Sequence, residues 1–172
     1  QAALTIEGKI GNWDLTYAGA YMKRRLDTAA DYIDYAEAYD ALYADYGGVA
    51  GYLYVTDNAG DPIVLNQRII GRNEFNKLSQ ELRIASPQDA PLRAFVGAFY
   101  QRQYHDIHQD YQVTGLADAM SVNGFPGTLW LTQQDRIDKD YALFGELSYD
   151  ILENLTMTGG LRAYKFDNSL IG

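Results

Sequence analysis

The chain has 172 residues, enough for one domain with a sizeable core, and no cysteine, which excludes a disulfide framework and any thiolate metal site. Its 23 acidic and 14 basic residues give a formal charge of −9, which argues against binding nucleic-acid phosphates. Fifteen Tyr stand beside six Phe and two Trp; a ring with a wet hydroxyl suits membrane interfaces and ligand-binding loops, though ordinary β proteins also use it. No apolar run reaches the roughly 18 residues of a transmembrane helix. No basic-plus-apolar leader opens the chain, Gln1 is not an initiator Met, and strand pattern stops in mid-course at Gly172. The expectation is a piece of a larger protein.

The first predicted strand, near 3–11, alternates Leu4, Ile6 and Ile10 with Thr5, Glu7 and Lys9. After a polar turn at Gly11-Asn12-Trp13-Asp14, a second strand near 14–25 sets Leu15, Tyr17, Gly19 and Tyr21 against Thr16, Ala18, Ala20 and Met22. A long loop near 26–74 follows. Within it, Tyr32, Tyr35, Tyr39, Tyr43 and Tyr46 recur at helical spacing with Asp34, Glu37 and Asp40 interleaved. That predicts a helix near 29–46, capped by Asp27 or Thr28 and ended by Gly47-Gly48. Turns are expected at Asp57-Asn58-Ala59-Gly60 and Asp61-Pro62, with short β pieces near 52–55 and 63–65.

Strand pattern returns near 75–86, where Leu78, Leu82 and Ile84 alternate with Ser79, Glu81 and Arg83. Ser86-Pro87-Gln88-Asp89-Ala90 turns into a strand near 91–105. Its two faces, Leu92/Ala94/Val96/Ala98 and Phe95/Gly97/Phe99, are both apolar, so its inside is not assignable. A second long loop, near 106–131, leads to a strand near 132–150. There Tyr141, Leu143, Leu147 and Tyr149 oppose Asp140, Glu146 and Ser148. A turn at Asp150-Ile151-Leu152-Glu153-Asn154 precedes a last strand near 155–167.

The fold expected is all-β: an antiparallel up-and-down meander of about six long strands with a short helix in one loop. Short turns on one side and long loops on the other are the pattern of a transmembrane β-barrel. In water a strand with one apolar face needs a second layer over it, and no spare strands remain to supply one. Acyl chains could cover that face instead. Tyr17, Tyr21, Tyr100, Tyr104, Tyr141 and Tyr149 lie toward strand ends, as an interfacial belt would place them.

Four segments resemble the TonB-dependent outer-membrane receptors. Asn76 to Ser86 is similar to that family's SQELRLxS strand. Leu92 to Tyr100 is similar to its WxxGxFY strand, and Ala142 to Tyr149 to its AxFGqxsY strand. Gly159-Gly160-Leu161-Arg162-Ala163-Tyr164 is similar to GGLRY, with Ala163 inserted. Order and spacing agree, and the likeness is weakest in the two loops. The resemblance implies an arc of a barrel of about 22 strands in the outer membrane of a Gram-negative bacterium. It implies contact with lipid, a plug domain of the same full-length chain, and a TonB complex that drives uptake of a ferric siderophore, vitamin or glycan. Plug and TonB box lie outside this segment.

No catalytic constellation, cofactor motif or phosphate loop is present, and no enzyme activity is expected. His105 and His108, three apart where a strand rises into a loop, point to opposite faces and make a poor metal pair. Asp57 to Asp61 lacks the oxygen register of a calcium loop and reads as an Asx turn. Tyr32, Tyr35, Tyr39, Tyr43 and Asp40 are the ligand-contact candidates. Glu7, Lys9, Glu81, Arg83, Glu146 and Arg162 are lumen-facing candidates, expected to form cross-strand charge pairs against a plug. The alternative reading is a soluble, lipocalin-like β protein that binds a small ligand or sugar.

Overall fold

The computed structural model describes residues 1–43 and 55–172, apart from the side chains of Ala36, Tyr39, Asp40 and Tyr43. Six strands appear: β1 (Ala2–Ile10), β2 (Trp13–Asp31), β3 (Arg68–Ala85), β4 (Leu92–Gln112), β5 (Thr128–Leu152) and β6 (Leu155–Ile171). They form one open antiparallel sheet in the order β1-β2-β3-β4-β5-β6. Helix α1 spans Ile33–Tyr43, and a 3-10 turn spans Asp118–Met120.

Several strands run further into the expected loops than the sequence pattern indicates. β2 continues to Asp31, β3 starts at Arg68, β4 reaches Gln112 and β5 starts at Thr128. Pairing supplies the reason, because residues 26–31 and 68–74 satisfy each other's backbone. Tyr32 N–H donates to Gln67 O at 3.0 Å, and a Cβ at Gly71 would run into the Thr28 hydroxyl. The helix therefore starts four residues later than expected. Its cap is Asp31, whose Oδ1 accepts the Ile33 N–H at 3.0 Å, rather than Asp27 or Thr28. Asp34 then sits in the first turn, where the helix dipole favours it. The expected helix end at Gly47-Gly48 and the β piece starting at Tyr52 lie outside the described residues. Residues 63–65, expected as a β piece, are not strand; an isolated Thr56–Pro62 bridge lies just before them.

The chain divides into two compact units. The first comprises Gln1–Arg24, Phe75–His105 and Arg136–Ile171. Register fixes its faces. Leu4 pairs with Gly19 and Ile6 with Tyr17; the Tyr17 hydroxyl bonds Gln80, and Tyr21 donates to Asn76 Oδ1 at 3.3 Å. Gln80 and Asn76 are in phase with Leu78 and Leu82, so all belong to one face. Tyr100 and Tyr141 meet on it at 5.1 Å. Leu4, Ile6, Leu78, Leu82, Leu143, Leu147 and Leu161 are between 37 and 87 % exposed; Ile84 is half-buried. Ala142 is the one buried apolar side chain among this unit's described residues.

The opposite face is polar with a small aromatic centre. Phe95 and Phe144 meet edge-on at 6.2 Å. Gln101 donates to Asp140 Oδ2 at 3.1 Å, and Ser148 and Thr158 share a hydrogen bond of 2.9 Å. This assigns β4, both of whose sides are apolar in sequence. Phe95, Gly97 and Phe99 lie on the polar face, and Leu92, Ala94, Val96 and Ala98 on the other. Gly97 is required because a Cβ there would enter the Phe144 ring.

The turns are tightly built. Gly11 has φ +62° at the first central position of the two-residue β1–β2 loop, the requirement of a II′ hairpin turn. Arg93 grips Asp150 with two bonds of 2.6 Å and also donates to Ala90 O at 3.0 Å. Thr156 donates to the same carboxylate at 2.6 Å, and Asp150 N–H donates to Pro91 O at 3.0 Å. The second and third turns are thereby fastened together. At this turn level, the Arg93 and Thr156 hydrogen bonds pull the Asp150 carboxyl down to about 2.

Candidate ligand-contact site

The second unit comprises Arg25–Glu74, Asp106–Asp135 and Gly172. It has a core of its own: Val55, Leu65, Val113 and Leu116 are buried, with Ile63, Met120 and Leu129 packed on them. Polar latches join the two loops that supply it. Asp118 N–H donates to Asn58 Oδ1 at 2.8 Å, Thr114 N–H to Asn66 Oδ1 at 2.9 Å, and Ala117 N–H to Thr56 O at 2.8 Å. Asp57 closes the first loop as an Asx turn, its Oδ1 accepting from Ala59 and Asp61 N–H at 2.8 and 3.0 Å. Thr128, buried, donates to Asp110 Oδ1 at 2.7 Å.

The same unit carries a tyrosine cluster. The Tyr32 and Tyr35 rings are 4.6 Å apart at 34°, and Tyr111 meets Tyr32 edge-on at 5.6 Å. Tyr32 precedes the helix rather than sitting on it, and Tyr46 lies outside the described residues. Tyr39, Asp40 and Tyr43 belong to α1, but their side chains lie outside the described set. Tyr111 and Gln67 were not legible as site residues; Tyr111 fell in an expected loop, and its partner is 79 positions away by number, 32 against 111. Gln67 is 2 % exposed. The Tyr32 N–H to Gln67 O bond closes the end of the β2–β3 pairing. Gln67 Oε1 is buried and has no hydrogen-bond donor among the described residues.

The other sequence-derived candidates behave differently. Lys9 pairs across its hairpin with Asp14 at 3.3 Å. Glu81 pairs along its own strand with Arg83 at 2.5 Å, not across strands. The Arg162 guanidinium lies 5.9 Å from the Phe99 ring and 5.6 Å from Phe144, with Arg83 at 5.8 Å from Phe144. These are cation–π contacts in place of the expected ion pair. Glu7 and Glu146 are exposed and form no ion pair among the described residues. His105 stacks on Phe75 at 4.0 Å, whereas His108 Nδ1 lies 3.3 Å from Gln133 Nε2. Among the described residues no three His, Asp or Glu side chains gather as metal ligands.

Charge is divided sharply between the units. Segments 25–74 and 106–135 contain thirteen Asp and Glu against three Arg, a formal −10. The rest contains ten against eleven Lys and Arg, +1, and the two give the chain's −9. No family model, curated protein or solved structure matches this chain.

Proposed function

We propose that the chain is part of the barrel wall of a TonB-dependent outer-membrane receptor, taking part in energised uptake of a scarce ligand. The observation that supports this most is the uncovered face of the first unit. Leucines, isoleucines and tyrosines share it and remain exposed, and nothing among the described residues is layered over them. Burying an exposed leucine gains about 1.5–3 kcal/mol, so seven such side chains left in water would be a large aggregation liability. Acyl chains remove it. A soluble lipocalin-like protein would need that face turned inward onto a core.

Strand length agrees with the reading. β2 to β5 run 19, 18, 21 and 25 residues, about twice the 9–11 a tilted strand needs to cross. The surplus at 25–31, 68–74, 106–112 and 128–135 belongs to the acidic second unit, which lipid would reject. On this reading, the polar face of the first unit, with Lys9, Glu81, Arg83 and Arg162, turns to the lumen and meets the plug domain of the same full-length chain. The unpaired edges of β1 and β6 cannot lie open in hydrocarbon, so neighbouring strands must cover them. The TonB complex acts through the plug rather than through this wall.

The chain has no cysteine, so a single-Cys scan along Tyr141–Tyr149 is a clean test in the full-length protein in outer membranes. A hydrophilic maleimide should label 146 and 148, which the structure leaves accessible on the polar face, and spare 143, 145 and 147. Uniform labelling, or protection of 146 and 148 with labelling of 143 and 147, would overturn the reading.

A further inference from the structure

We infer that the two loops of the second unit, 55–66 and 113–128, are joined by one all-or-none clasp centred on Asn58 and Asn66, so that whatever engages either loop shifts both. The clasp lies wholly within the second unit, so it holds whatever medium covers the apolar face of the first.

Neither loop buries this core alone. Of its four buried side chains, Val55 and Leu65 come from the first loop and Val113 and Leu116 from the second. Parting the loops returns both pairs to water at once, which makes a half-open seam unfavourable. Nothing local brings the loops together, since the residues bonded across the seam are 48 and 60 positions apart.

The backbone N–H groups bonded across the seam all donate in one direction. The second loop donates and the first accepts: Asp118 N–H to Asn58 Oδ1 at 2.8 Å, Ala117 N–H to Thr56 O at 2.8 Å, and Thr114 N–H to Asn66 Oδ1 at 2.9 Å. Asn58 Nδ2 also donates to Asp118 Oδ2 at 3.4 Å. Asn58 thereby supplies from the other loop the cap that the Asp118–Met120 turn lacks in its own chain, where Ala117 has no capping side chain. Each loop is braced internally as well. Asp57 Oδ1 accepts from Ala59 and Asp61 N–H. The Ser121 hydroxyl donates to Ala117 O and accepts from Gly127 N–H, both at 3.0 Å. Two braced loops with a shared core and a short seam part as one cooperative unit rather than bond by bond. The seam is therefore a two-state element, and anything that binds one loop in only one of the two states biases the other loop equally.

The test is hydrogen exchange resolved at single amides in the full-length protein in detergent. In wild type, Thr114, Ala117 and Asp118 should share one opening constant. Asn66→Ala removes the acceptor of Thr114 alone, yet should speed exchange at Ala117 and Asp118. Asn58→Ala removes the acceptor of Asp118, yet should speed exchange at Thr114 and Ala117. At amides that keep their own acceptors the two should accelerate by one common factor, roughly two- to tenfold for one lost hydrogen bond. Amides of β4 and β5 within 93–105 and 136–149 should not change. Acceleration confined to the amide that lost its acceptor, or unequal opening constants in wild type, would mean independent loops and overturn the inference. Equal acceleration throughout β4 and β5 would also overturn it, because the loops would then open only with the whole sheet.

Discussion

Replacing Leu143 by Arg separates lipid from water as the medium of the apolar face. Leu143 is 67 % exposed in the structure, and its neighbours on that face of β5 are Tyr141 and Gly145. In water such a surface change alters stability by no more than about 0.5 kcal/mol. In a bilayer the answer depends on depth. Tyr141 to Tyr149 is one crossing length of strand, and the two tyrosines mark its ends. Leu143 then lies two residues, about 7 Å along the strand, from the midpoint at Gly145. Arg on the lipid face is unfavourable by about 2–4 kcal/mol at the midplane and by 0–1 at the interface, so about 2–3 kcal/mol is expected here, a roughly 30- to 150-fold shift in the folding equilibrium. Glu146→Arg, on the opposite face, should change stability by less than about 1 kcal/mol. The assay is reversible unfolding of the full-length protein in phospholipid vesicles by guanidinium titration. Equal, near-zero effects of the two substitutions would refute the reasoning.

Leu65→Ala, in the core of the second unit, should destabilise that core by about 2–5 kcal/mol, read as lost amide-exchange protection over 55–66 and 113–128. Gly97→Ala should be unfavourable by about 1–3 kcal/mol because its Cβ meets the Phe144 ring; adding Phe144→Leu should recover most of the loss in thermal midpoint. The Arg93–Asp150 link should also respond to pH. Asp150 titrates at about 2 when folded against 3.8 ordinarily, so its contribution is complete above roughly pH 4 and is lost as pH falls toward 2. The difference in melting temperature between wild type and Asp150→Asn should accordingly close over that interval.

The sheet was readable because its signal is local. Leu4/Ile6, Leu78/Leu82 and Leu143/Leu147 alternate with polar neighbours, and each hairpin is punctuated by Gly, Pro, Asp or Asn. The sides of β4 were not readable, since Phe95 and Phe99 look like core residues until Arg162 is seen over the Phe99 ring and edge-on Phe144 beside Phe95. Residues 26–31 and 68–74 lack clean alternation and become strand only because each finds the other, a long-range pairing that overrides propensity. The same limit hid the site. Tyr32 has a visible spacing partner in Tyr35, but its contacts with Tyr111 and Gln67 are made by the fold. Only the start of the tyrosine helix departs from its sequence reading, because Asp31 caps it and its first residue is Ile33, one past Tyr32.

Hydrocarbon as the solvent of the Leu143 side is best measured by fluorescence quenching with brominated phospholipids. Single Trp residues placed at 143 and at 146, in a full-length background with Trp13 and Trp130 replaced by Phe, report the two faces of β5 on either side of the midpoint at Gly145. Strong quenching of Trp at 143 and little at 146 is the result expected. Equal quenching at both, or none at 143, would mean that water or protein, not lipid, meets this face.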